Sequence, residues 1–102
     1  PEYHGTMSGV MKNTIDWMYD KHVGGKVFGL MSTLGGVTNA NTLNHMRIAV
    51  RWLHGWSVPE QLAVGHVKEA FDENGSLRDD NLQQRLDRLV ESVLSATKKL
   101  SA

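Results

Sequence analysis

The apolar positions of this chain change period several times, and each change marks an element. Met7, Met11, Ile15 and Met18 recur at three- and four-residue intervals, with Val10, Thr14 and Trp17 on the adjacent stripe. That spacing predicts a broadly apolar, well-buried helix, capped by Ser8 and ended by Gly24-Gly25. Lys26-Val27-Phe28-Gly29-Leu30-Met31 is then almost continuously apolar, as a parallel strand covered on both faces is, and it stops at Ser32-Thr33-Leu34-Gly35-Gly36. Leu43, Met46, Val50 and Leu53 return to helical spacing behind a cap at Asn39 or Asn41, and Gly55 closes that helix. Val58 to Val64 reads as a second strand. Pro59 has no N–H to give a ladder, which assigns this strand to the sheet edge. A polar connection over 65–78 holds a turn at Asp72-Glu73-Asn74-Gly75. Asp79 or Asp80 then opens a long helix whose Leu82, Leu86, Leu89, Val90, Val93 and Leu94 form one stripe, backed by Arg85, Asp87, Arg88 and Glu91 in water.

The order helix, strand, helix, strand, helix belongs to a doubly wound α/β sheet, because parallel strands need helical crossovers and those crossovers cover both faces. Two parallel strands do not make such a sheet alone, and a length of 102 residues allows one small domain at most. In folds of this class ligands sit in the crevice beyond the carboxyl ends of the strands, where the Ser32 to Gly36 loop lies by construction. Pro1 to Thr6 reads as a second loop of the same kind, feeding a helix with no strand before it and no initiator methionine. The expectation is that the chain is part of a larger domain, with both loops at one end of its sheet.

Charge and composition narrow the partners. The 11 basic and 11 acidic side chains cancel and alternate along the chain, so no electrostatic footprint for nucleic acid or an anionic membrane is present. With no cysteine there is no disulfide framework, thiolate metal site or thiol nucleophile, which fits a reducing, cytoplasmic setting. The longest apolar run is far short of the roughly 20 residues a membrane-spanning helix needs. His22, His45, His54 and His66 show no paired metal spacing and read as structural or surface side chains, so no metal is expected. Asp16 and Asp20 share a helix face that Lys12 and Lys21 make a solvated one. Trp17, Trp52 and Trp56 read as core or subunit-interface aromatics, and the methionines as packing.

Pro1-Glu2-Tyr3-His4-Gly5-Thr6-Met7-Ser8-Gly9, followed by Lys12-Asn13 and Asp16-Trp17, resembles the second flavin loop and following helix of the NADPH-dependent FMN reductases. Ser32-Thr33-Leu34-Gly35-Gly36 resembles their third flavin loop, and Leu43 with Arg47 their next helix. Val67-Lys68-Glu69-Ala70-Phe71-Asp72 with Gly75 resembles their tail. The similarity spans nearly the whole chain. It is greatest to the chromate-, quinone- and azo-reducing members, with some likeness to the arsenical-resistance flavoproteins.

The resemblance implies a flavodoxin-like, three-layer α/β/α domain with a five-stranded parallel sheet. Residues 1–102 would be the C-terminal part of that single domain and carry its last two strands, while the phosphate-binding loop follows the family's first strand. FMN is the implied cofactor and NADPH or NADH the electron donor; a quinone, azo compound, chromate or free flavin is the acceptor. The implied flavin-binding residues are Pro1, Glu2, Tyr3, His4, Gly5 and Thr6 in one loop and Ser32, Thr33, Leu34, Gly35 and Gly36 in the other. Tyr3 and His4 would pack beside the ring or bond its edge, and loop N–H groups would meet the negative charge that develops on a reduced flavin. Because the cofactor carries hydride transfer, no catalytic side chain is assigned. The helices beginning near Ser8 and spanning Leu43 to Arg51 imply a homodimer or homotetramer. Two readings from other classes stand beside this one: a non-catalytic, flavodoxin-like electron carrier, and a half-domain that pairs with another chain through its sheet edge.

Overall fold

The structure, a computed structural model, describes residues 1–101. Its first element is a hairpin where a loop was expected. Glu2–Tyr3 (β1) and Thr6–Met7 (β2) pair antiparallel, Glu2 opposite Met7 and Tyr3 opposite Thr6. The two residues between them, His4 and Gly5, have φ of 52° and 85°. Left-handed backbone at both central positions is the mark of a type I′ turn, whose twist matches that of the paired strands, and glycine takes the second position without a Cβ penalty.

Ser8 caps α1 (Gly9–Asp16) as predicted, its Oγ accepting the Met11 N–H at 3.1 Å. The helix ends sooner than its apolar spacing implied. Trp17 and Met18 bond back to the carbonyls of Thr14 and Ile15, tightening the last turn, and Tyr19 is extended before the short α2 (Asp20–Val23). Nor is α1 buried: it has no fully buried residue, and Val10 and Trp17 face outward. Its apolar stripe therefore exceeds the partner surface available within the described residues.

Val27–Thr33 (β3) and Trp56–Val64 (β4) pair in parallel, joined by α3 (Asn41–Trp52). β3 runs past its predicted stop and takes in Ser32 and Thr33. Ala40 holds the N-cap position of α3, while Asn39 Oδ1 accepts the Asn41 N–H at 3.1 Å in the turn before it. The strand register breaks at Pro59: Phe28 faces Ser57 and Leu30 faces Gln61, so Gly29 alone stands against Val58, Pro59 and Glu60. Arginines from two helices bond to β4 at and beside this bulge. Arg47 of α3 donates to Pro59 O at 3.1 Å and to Gln61 Oε1 at 3.0 Å, and Arg85 donates to Gln61 O at 3.2 Å. In this two-stranded sheet both strands have a free side; on β4 the proline, the bulge and the arginines disfavour further pairing.

A turn of 3₁₀ helix (Val67–Glu69) follows, and Asp72 Oδ1 accepts the N–H groups of Asn74 and Ser76 in the predicted turn. Asp79 then caps α4 (Asp80–Leu100), its Oδ1 accepting the Asn81 N–H at 2.8 Å. Asp79→Ala is expected to cost about 1 kcal/mol and lower the melting midpoint by roughly 4–8 °C, read by circular dichroism.

Helices cover both sheet faces. Met7, Leu30, Leu43, Met46 and Val50 form one buried cluster, with Ile15, Phe28 and Ala63 packed against it. Val58, Leu62, Val64 and Leu89 form the other, under Leu82, Leu86 and Val93 of α4. This is α/β/α layering with parallel strands, the flavodoxin-like arrangement that the resemblance implied. The tryptophans are outside both clusters; Trp17 is 76% and Trp52 70% exposed, which corrects the core alternative for them. Among the described residues no helix is long and apolar enough to cross a membrane.

Candidate functional site

The two segments singled out from sequence meet through the first turns of α3. Because α3 leaves the carboxyl end of β3, its N-terminus stands at the end of the sheet where α/β folds hold ligands. The hairpin is placed there by three contacts. Met7, at its base, is buried in the cluster with Leu43 and Met46. Thr6 Oγ1 lies 2.6 Å from His45 Nδ1. A Cβ on Gly5 would sit 3.8 Å from Asn41 Nδ2, so the turn itself faces the start of the helix. Within the hairpin, Glu2 Oε2 accepts the Gly5 N–H at 3.1 Å, giving Glu2 an orienting role in the turn.

The glycine loop is held from the other side. Leu34 N–H donates to Val64 O at 2.8 Å, Val67 N–H to Leu34 O at 3.0 Å and His66 N–H to Gly36 O at 2.8 Å. Gly65 lets the segments approach this closely: a Cβ there would lie 2.9 Å from Thr38 N and 3.0 Å from Gly36 O, distances that real Cβ atoms rarely tolerate. His66 is left-handed at φ 44°, which turns the chain back under the loop. The bonds leave the loop's outer backbone open. A Cβ at Gly35 or Gly36 would meet nothing within 4 Å, and the amides of Gly35, Gly36 and Val37 make no hydrogen bond among the described residues.

The predicted residues thus divide by what they can present. Pro1, Tyr3 and His4 are exposed at the hairpin, and Gly35 and Gly36 are exposed in the loop. Ser32 and Leu34 are buried, so neither side chain offers a surface to a ligand. Ser32 Oγ, at the end of β3, and Thr42 Oγ1, in the first turn of α3, are buried without a hydrogen-bond partner. An unmet buried hydroxyl costs on the order of 1–3 kcal/mol, so two at one end of the sheet mark unspent bonding capacity there.

Gly65, His66 and His45 were missed from sequence. Gly65 follows directly on the last apolar residue of β4, which is the available signal for it; His45 and His66 carry none. Remote from this end, the Ser92 hydroxyl donates to the Glu60 carboxylate and holds it below its ordinary value. Asp16 and Asp20 are solvated as expected, with Lys12 Nζ donating to Asp16 Oδ1 at 2.6 Å, an exposed pair worth roughly 0.3–0.5 kcal/mol.

Comparison with known proteins agrees with this geometry. The profile of the NADPH-dependent FMN reductase family matches residues 1–69, which hold the hairpin, the glycine loop, α3 and β4. The chain is 36% identical over 97 residues to the FMN-dependent NADPH-azoreductase of Staphylococcus aureus strain USA300, covering 93% of this chain and 52% of the relative. The proteins of the same description from strains NCTC 8325 / PS 47 and COL match with the same identity and coverage. The chain therefore spans about half the length of the curated relatives it matches. With the hairpin, the open glycine loop and the parallel strand pair all inside the matched region, the chain belongs to the NADPH-dependent FMN reductase family.

Proposed function

We propose that the chain is the C-terminal part, residues 1–102, of a single FMN reductase domain that oxidises NADPH or NADH and reduces a small-molecule acceptor. The observation that carries this reading is a type I′ hairpin seated against the first turns of α3, the helix into which an open glycine loop leads from the carboxyl end of β3. FMN, when bound, supplies the hydride and electron chemistry. The residues present fit its ring on two counts. Unbonded amides at Gly35 and Gly36 can donate to an electron-rich ring edge with no Cβ in the way, and the type I′ turn offers Tyr3 and His4 beside it. In this assignment Pro1, Glu2, Gly5 and Thr6 shape the hairpin, and Ser32, Thr33 and Leu34 set the exit of the strand.

The rest of the domain is assigned from the two sheet edges. β4 is closed to pairing, whereas Gly29 and Met31 on β3 are exposed, Met31 at 52%. Apolar grooves flank β3 on both faces: about 380 Å³ lined by Met11, Met18, Leu30 and Met31, and about 280 Å³ lined by Gly29, Leu89, Val90 and Leu94. A strand beside β3 with helices over it would fill both. The radius of gyration of 14.4 Å supports an unfinished domain, since a compact one of about 100 residues measures roughly 13 Å.

An azo compound is the favoured acceptor class, because the matched relatives are azoreductases, with quinones, chromate and free flavin as further candidates. Exposed Trp17, Ile48 and Trp52 on the outer helices suit a homodimer or homotetramer, and the cytoplasm is the proposed location. NADPH oxidation by the completed domain, followed at the nicotinamide absorbance with and without an azo dye, tests the reading. Dye-dependent oxidation requiring FMN is expected; FMN-independent or absent oxidation would count against it.

A further inference from the structure

Thr6 and His45 are 39 residues apart in sequence, yet Oγ1 and Nδ1 are 2.6 Å apart in the fold. The hairpin's internal bonds, its β1–β2 ladder and the Glu2–Gly5 bond, fix its shape and not its place. Its place rests on two anchors beyond the turn. Met7 is an apolar anchor at the base, and apolar burial is non-directional, so it leaves the hairpin free to pivot. The Thr6–His45 bond is directional and sits one residue from the turn.

We infer that His45 is a positioning residue that fixes the orientation of the Tyr3-His4-Gly5 turn through Thr6. Either neutral ring tautomer serves, because the hydroxyl can donate to a bare Nδ1 or accept from Nδ1–H. Asn41, one helical turn earlier on α3, faces Gly5, so helix and hairpin meet along the same line. The turn held this way presents Tyr3 and His4 at a set angle to a flat ligand. The identity of that ligand rests on the FMN-reductase reading; the contact itself does not.

The test compares His45→Ala, His45→Asn and His45→Gln in the completed domain and the full chain. Asparagine places an amide atom near where Nδ1 sits, and glutamine reaches toward Nε2 instead. His45→Ala is expected to weaken FMN binding about three- to tenfold, the range of one neutral hydrogen bond. His45→Asn should restore it to within about twofold, and His45→Gln should not. His45→Ala combined with Thr6→Val should be no worse than the worse single change, because both remove the same bond. Wild-type affinity in His45→Ala, or losses that simply add in the double variant, would overturn the inference. Should the parent bind no FMN, the oxidoreductase reading fails, and amide exchange across Glu2–Met7 still decides this one. Faster exchange in His45→Ala and Thr6→Val but not His45→Asn supports the brace; unchanged exchange in His45→Ala overturns it.

Discussion

Gly65→Ala is expected to weaken FMN binding by about tenfold or more while costing the ligand-free chain roughly 1–3 kcal/mol. The new methyl would sit 2.9 Å from Thr38 N and 3.0 Å from Gly36 O, both backbone atoms that cannot swing aside as a side-chain tip can. Relief must come from moving the loop, and the His66 to Gly36 bond of 2.8 Å lies in its path. Gly35→Ala separates the two effects. Its Cβ meets nothing within the chain, so the melting midpoint should hold, but it projects where the proposed ring lies and should weaken FMN binding alone. Isothermal titration with FMN beside thermal unfolding reads both. If Gly65→Ala binds FMN like the parent, the glycine loop is not part of the site.

Leu43→Ala and Leu62→Ala form a second pair with large effects and different consequences. Each residue is 1% exposed, and truncating a buried leucine costs about 2–5 kcal/mol, a large share of what a domain of this size has to lose. Both should lower the melting midpoint by roughly 10 °C or more. They part company at the hairpin. Leu43 packs in the cluster that holds Met7, whereas Leu62 packs under α4 on the opposite face of the sheet. At a temperature where both variants remain folded, Leu43→Ala should also accelerate amide exchange across Glu2–Met7, and Leu62→Ala should not. Equal acceleration in both would mean that the hairpin's place depends on global stability and not on its own cluster.

What the sequence made legible follows from how local each signal is. Ser8, Asp79 and the Asp72 turn act within a few residues of themselves, so their caps and bonds appear where the pattern puts them. The continuous apolar run of β3 and the proline of β4 likewise announce a parallel strand and an edge. The break after Asp16 was hidden, because Met18 keeps the apolar period while the chain tightens at Trp17. The burial expected of α1 failed because periodicity reports a wish to be covered and not the presence of a cover. At the site, the glycine loop and the opening motif could be read as segments. Gly65 and His45 act by approaching residues about 30 or 40 positions away; the end of the apolar run marks Gly65 as a turning point, but neither residue's partner is written in a one-dimensional pattern.

The decisive measurement is an FMN titration of the chain joined to the N-terminal part that the proposed assignment calls for, followed by quenching of flavin fluorescence and repeated with Gly35→Ala. Saturable quenching at one FMN per domain is expected, weakened by the substitution without loss of folded structure. Absence of saturable quenching, or quenching indifferent to Gly35→Ala, would contradict a flavin site built from the hairpin and the glycine loop.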